Sequence, residues 1–202
     1  MGFLLERCTL KVYNEDIHRI CFPFDCGDND LNDFFANDVI KYSNELLGKS
    51  YCFTLDEDDR QIVAAFTISN DSIKTFSLPN ARKKKIIAEI PREKHMKSYP
   101  AVLIGRLGVN NLIRKKIKEE NTIGDQLMDF IKSWFIDKGN KTGCRFIIVD
   151  AYNKITTLNY YKRNGFIELF SSEEQEKKYI NVSEEKTLST RLLYYDLILI
   201  TE

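Results

Sequence analysis

A chain of 202 residues, 43% hydrophobic and 30% charged, is long enough to bury a full core and fits one domain, or one domain with a sizeable insertion. No stretch approaches the roughly 18 consecutive apolar residues of a membrane span. Charge at Glu6 and Arg7 interrupts the first apolar run too early for a signal peptide, so the reading is a cytoplasmic protein with no membrane partner.

Five cysteines without a C-x-x-C pair, beside two histidines, argue against a disulfide framework or a zinc site, and no metal is expected. Thirty basic and thirty acidic residues cancel overall, yet residues 81–118 hold twelve Lys or Arg against two acids. Such a stretch attracts the phosphates of a nucleotide or of RNA, while for Lys83, Lys84 and Lys85 a solvated helix face is the plainer meaning.

Residues 3–13 are apolar and β-prone, which predicts a first strand, and an Asp/Asn/Gly-rich turn follows Phe22-Pro23-Phe24. Asp28 or Asp30 then caps a helix whose Leu31, Phe34, Phe35, Val39 and Tyr42 form an apolar stripe suited to packing on a sheet. Residues 51–55 and 62–68 read as an antiparallel hairpin around the charged loop 56–60. Residues 71–99 are polar and basic and read as an insertion or lid.

Residues 101–109 form a nearly uninterrupted apolar run, the length of a central strand buried on both faces. Gly105 and Gly108 inside it mark a bulge, a close approach by ligand or backbone, or a packing need. A Lys/Glu-rich linker leads to Gly124 and an amphipathic helix carrying Leu127, Met128, Ile131, Trp134 and Phe135. With a second buried strand at 144–149 this makes a βαβ unit with parallel strands. A short helix over 156–164 stops at Gly165, a strand spans 166–170, an acidic loop spans 171–190, and a last strand spans 192–200.

Helix-start amides before Gly124 suit a phosphate, because they lack intrahelical partners at the positive end of the dipole. A tyrosine near such a cleft, as at Tyr160-Tyr161, stays protonated at neutral pH and can protonate a departing thiolate, although a core or surface aromatic is the commoner role for a residue placed like Tyr161. Asp150 and Glu89 are candidate bases that spacing does not separate. Cys26 and Cys144 have no partner pattern of an activated thiol, so packing explains them.

The order β, α, β, β, β, α, β, α, β resembles the GNAT N-acetyltransferases. Three stretches, FDCGDNDLNDFF (24–35), LIGRLGV (103–109) and TLNYYKRNGF (157–166), are similar to the branch containing toxin-type aminoacyl-tRNA acetyltransferases. The resemblance covers nearly the whole chain. It implies a mixed α+β domain over 1–202 with a basic insertion or lid at about 71–99, whose central mixed sheet has splayed parallel strands flanked by helices.

It further implies acetyl-CoA as co-substrate, with backbone groups of Leu107, Gly108 and Val109 on the pantetheine arm and Asn121, Thr122, Ile123 and Gly124 at the pyrophosphate. Asn153 is an implied CoA contact, or else a loop or helix-cap asparagine. Tyr161 is the implied general acid. The family's pyrophosphate loop, R/Q-x-x-G-x-G/A, aligns with residues 119–124, where only Gly124 is kept and Glu119 and Glu120 bring negative charge. Arg114, Lys115, Lys116 and Lys118 lie just upstream.

The resemblance implies transfer of acetyl to a primary amine, that of an aminoacyl-tRNA in the toxin branch, with an antitoxin protein as partner and a homodimer allowed. Two alternatives stay open: an acetyltransferase for a small-molecule or protein amine, and a GNAT-fold CoA-binding or protein-binding module without turnover.

Overall fold

The computed structural model describes residues 2–88, 90, 98–117, 120–183 and 185–201. In chain order the elements are α1 (Phe3–Arg7), β1 (Cys8–Val12), α2 (Glu15–Ile20), α3 (Asn29–Asp33), a π-helical turn (Phe34–Asp38), α4 (Val39–Asn44), β2 (Lys49–Leu55) and β3 (Ile62–Lys74). A 3-10 turn (Thr75–Ser77), α5 (Asn80–Ile87), β4 (Ser98–Val109), α6 (Asn111–Lys116), α7 (Ile123–Ile136) and β5 (Phe146–Tyr152) follow. The chain closes with α8 (Ile155–Arg163), β6 (Ile167–Glu168), α9 (Glu173–Ile180), β7 (Thr190–Asp196) and a 3-10 turn (Leu197–Ile200).

The class is mixed α+β, with one mixed seven-stranded sheet in the order β1-β2-β3-β4-β5-β7-β6. Two compact units divide the chain. The first comprises residues 1–69 and 104–134, and the second residues 70–103 and 135–202.

In the first unit, the strand expected over 3–13 begins only at Cys8. The N–H groups of Leu5 and Glu6 both donate to the Gly2 carbonyl at 3.1 Å, and Leu4 is fully buried with its N–H on Gln126 Oε1 at 2.8 Å, so the first residues turn into a helix. A second helix absent from the sequence reading, α2, is set by Asn14, whose side chain accepts the N–H of Ile17 at 3.0 Å.

Of the two proposed caps, Asp28 starts α3, accepting from Asp30 and Leu31. The helix then widens by one residue: Val39 N–H reaches back to the Phe34 carbonyl, an i to i−5 bond, and the Tyr13 hydroxyl donates to the Phe35 carbonyl at 3.4 Å. The apolar stripe read from the sequence packs as expected. Phe34, Phe35 and Val39 join Tyr13, Ile17, Phe24, Cys26, Cys52, Ile62 and Ala65 in one core.

The β2–β3 hairpin is antiparallel, with Tyr51 opposite Phe66 and Cys52 opposite Ala65. Because strand side chains alternate, Cys52 and Ala65 face the α3 layer while Tyr51, Phe53 and Phe66 face the other way. There they meet α7: Tyr51 stands edge-on to Trp134 at 4.8 Å and Phe53 to Phe130 at 5.0 Å. The presumed linker after β4 holds α6, started by Asn110, whose Oδ1 accepts from Leu112 and Ile113.

In the second unit, β5 and β7 run antiparallel from Phe146 opposite Asp196 to Tyr152 opposite Thr190. The strand expected over 166–170 is reduced to two residues paired with β7, and the one expected over 192–200 stops at Asp196, whose Oδ1 accepts the Ile198 N–H and starts a 3-10 turn. The expected loop at 171–190 contains α9, capped by Ser172.

Within 71–99 the chain supplies the end of β3, a 3-10 turn and α5, and Ile86 of α5 is buried beside Ile73, Leu78, Tyr99, Phe146 and Phe170. Glu89 and residues 91–97 lie outside the described residues.

Candidate functional site

The end of β4 is pinned in the first unit by Asn110, whose N–H donates to Val63 O at 2.8 Å and whose Nδ2 donates to Ile62 O at 3.0 Å. Of the expected pantetheine contacts, Val109 is buried, Leu107 half-buried, and Gly108 packed tightly. A Cβ on Gly108 would stand 3.0 Å from Cys26 Cβ and 3.1 Å from Phe24 Cε1, close enough that these neighbours would have to shift, so packing gives a reason for glycine there. On Gly105 a Cβ would meet nothing within 4 Å among the described residues, which supply no packing reason for glycine at that position.

The start of α7 is a closed local circuit. Thr122 Oγ1 accepts the Asp125 N–H at 3.3 Å, a side-chain cap, and donates to Asp125 Oδ2 at 2.6 Å. Asn121 O accepts Gln126 Nε2 at 2.8 Å, while Ile123 is buried in the core. The helix start therefore carries a carboxylate where the sequence reading places a diphosphate. Glu119 and Lys118 lie outside the described residues.

The motif 24–35 builds a polar loop beside α6. Asp25 Oδ1 accepts from Gly27 N–H and Asn32 Nδ2, both at 2.8 Å, and the Asp25 carbonyl accepts the Asn111 N–H at 2.8 Å. The Asn32 bond, then the Gly27 N–H, with Lys115 and Arg114 nearby, hold the Asp25 carboxyl below the usual range. Burial pushes the Cys26 thiol up, and pushes that of Cys144 up to about 11, so neither is an activated thiol.

In the second unit, Tyr161 lies on α8 and is buried, its ring 5.1 Å from that of Tyr160 and 5.4 Å from that of Phe166. Desolvation alone raises its hydroxyl above the ordinary tyrosine range, and among the described residues no hydrogen bond holds it. The helix ends as the sequence predicts: Gly165 takes φ +81°, its N–H donates to Lys162 O at 3.0 Å, and Phe166 N–H returns to Tyr161 O at 3.0 Å.

Asn153 is engaged in its own unit. Its Nδ2 donates to Glu173 Oε1 and to Leu188 O, both at 2.9 Å, and its N–H to Ser189 O at 2.8 Å, while its side-chain oxygen accepts no hydrogen bond from the described residues. Asp150 is exposed on β5 opposite Leu192. The expected cofactor residues 107–109 and 121–124 thus belong to the first unit, and Asn153 and Tyr161 to the second.

Sequence reasoning missed Arg106 on β4, which an apolar strand reading hides. Its guanidinium carbon lies 5.1 Å from the Phe34 ring centroid, and Nη1 donates to Gly105 O at 2.9 Å.

The architecture is the GNAT acetyltransferase fold. No protein-family model and no curated protein matches the sequence. Among solved structures, a tyrosine-to-phenylalanine variant of KacT aligns over 97% of this chain and 98% of its own at TM-score 0.68 and 19% identity. AtaT complexed with acetyl-methionyl-tRNAfMet aligns over 96% and 97% at TM-score 0.61 and 19% identity. A tyrosine-to-phenylalanine variant of the AtaT toxin, bound to the C-terminus of the antitoxin AtaR and to acetyl-CoA, aligns over 98% and 100% at TM-score 0.58 and 18% identity.

Proposed function

We propose that this protein is an acetyl-CoA-dependent N-acetyltransferase whose acceptor is the α-amine of an aminoacyl-tRNA. The observation that carries the reading is the end-to-end likeness to a toxin captured with acetylated initiator tRNA, covering 96% of this chain, in a protein that keeps a buried tyrosine ahead of a Gly165-Phe166 turn. The same likeness extends to a toxin bound to an antitoxin peptide, so an antitoxin protein is the proposed partner, and the cytoplasm the proposed location.

In this reading, backbone groups of Leu107, Gly108 and Val109 hold the pantetheine arm. The segment 121–124 takes the pyrophosphate, supported by Arg114, Lys115 and Lys116 on α6, and Asn153 contributes its free side-chain oxygen. The neutral amine attacks the thioester carbon, the C–S bond breaks, and Tyr161 gives its phenolic proton to the sulfur while the amine nitrogen loses a proton to water. Burial suits Tyr161 to the role, because a hydroxyl whose pKa is raised remains protonated at neutral pH and can donate.

The test is calorimetric titration with acetyl-CoA followed by transfer of radiolabelled acetyl to charged tRNA, uncharged tRNA and a small amine. Binding with labelling of charged tRNA alone supports the proposal, and that labelling should weaken steeply with salt. Labelling of the small amine at a similar rate, indifferent to salt, favours the small-molecule reading.

One observation favours a second reading, a module without turnover. Asp125 sits in the capping circuit at the start of α7, where its charge opposes a diphosphate. Absence of acetyl-CoA binding in the titration is the result this reading expects.

A further inference from the structure

Arg106 carries a guanidinium that the fold satisfies only in part. One amino group is spent on the neighbouring Gly105 carbonyl, and the cation rests over the Phe34 ring. Its Nε is shut off from solvent and has no acceptor among the described residues, none of which supplies a carboxylate in ion-pair range. A forked, partly exposed cation without a counter-charge, its Nε already shut off from water, suits an oxyanion.

The surroundings point the same way. Phe34 opens the π-helical turn, a feature that concentrates at functional sites, and the Tyr13 hydroxyl holds that turn through the Phe35 carbonyl. The side of the sheet is fixed as well. Gly108, two residues along β4 and so on the same face as Arg106, meets Phe24 and Cys26 of the α3 layer, while α7 lies on the opposite face against Tyr51, Phe53 and Phe66.

We infer that Arg106 binds a phosphate of the amine acceptor, on the face of the sheet away from α7 and apart from any phosphate held at the start of that helix. The inference rests on the acyl-transfer reading and narrows its acceptor to an amine with a phosphodiester nearby, as at the 3′ end of an aminoacyl-RNA. The residue selects and positions the acceptor and takes no part in the proton transfers.

Kinetics of Arg106→Met with charged tRNA, compared with the amide of the same amino acid, tests the assignment. KM for charged tRNA should rise by about tenfold or more with kcat nearly kept, the loss should exceed that on the amide by about the same factor, and acetyl-CoA affinity should hold within about twofold. Arg106→Lys should recover part of the loss. Equal losses on both acceptors, or weakened acetyl-CoA binding, would overturn the assignment.

A second measurement does not depend on turnover. The Arg106 Nε–H resonance, assigned by its absence from Arg106→Met, should shift saturably as inorganic phosphate is added to the otherwise unliganded protein. No shift, or a shift with acetate alone, contradicts a phosphate site. A wild type that acetylates no amine would end the acyl-transfer reading and still leave this titration to decide Arg106.

Discussion

The backbone N–H of Phe166 donates to the carbonyl of Tyr161 at 3.0 Å, closing the end of α8 directly over the residue proposed to protonate the thiolate. Gly165 makes this closure possible at φ +81°, and a Cβ there would stand 2.9 Å from Tyr195 Cε2. Gly165→Ala should therefore cost about 1–3 kcal/mol of stability from backbone strain and crowding, measured by chemical denaturation. A stability equal to the wild type would show that the turn relaxes freely.

The two glycines of β4 should respond in opposite ways. Gly108→Ala forces a Cβ against Phe24 and Cys26 and should destabilise by about 1–3 kcal/mol. Gly105→Ala meets no atom of the described residues within 4 Å, so stability should hold within about 1 kcal/mol, and a fall in acetyl-CoA affinity would mark Gly105 as a place of ligand approach.

Asp125 is predicted to restrain cofactor binding. Asp125→Asn removes a negative charge from the start of α7 and should tighten acetyl-CoA by about threefold to tenfold at low ionic strength, less as salt rises. Calorimetry at two salt concentrations checks this. An unchanged affinity would place the diphosphate elsewhere.

A buried ion pair holds the second unit. Glu176 accepts Arg191 Nε at 2.7 Å and the Leu192 N–H at 2.6 Å, and both charged side chains are buried. Glu176→Ala should cost about 2–4 kcal/mol, because buried Arg191 keeps only the longer contacts of its Nη2 with Glu168 and the Phe170 carbonyl, and adding Arg191→Met should recover part of the loss. A double-mutant cycle by urea unfolding gives the coupling.

Long periodic elements were legible in the sequence: the 31–42 stripe, the hairpin, α7, β5 and the glycine end of α8 all form. Several short helices were not, and α1 read as strand. α2, α6 and α9 each span only six to eight residues, too few for the apolar period to stand out, and rest on the side-chain caps Asn14, Asn110 and Ser172, which read as turn residues without the structure. The site suffered for it. The hydrogen bond from Asn153 to Glu173 was hidden, because α9, which brings Glu173 to its amide, read as a loop. Arg106 looked like an interruption in an apolar strand, since stacking on Phe34 comes from tertiary packing that no local pattern records.

The most direct test of the account is single-turnover acetyl transfer from acetyl-CoA to charged tRNA by the wild type and by Tyr161→Phe, with acetyl-CoA affinity measured beside it. Loss of the hydroxyl should slow transfer by about a hundredfold or more and leave the affinity within about twofold. Because burial raises the Tyr161 pKa, the wild-type rate should show no alkaline loss from this group until above the ordinary tyrosine range. A Tyr161→Phe enzyme that transfers acetyl at the wild-type rate would contradict the role given to this residue.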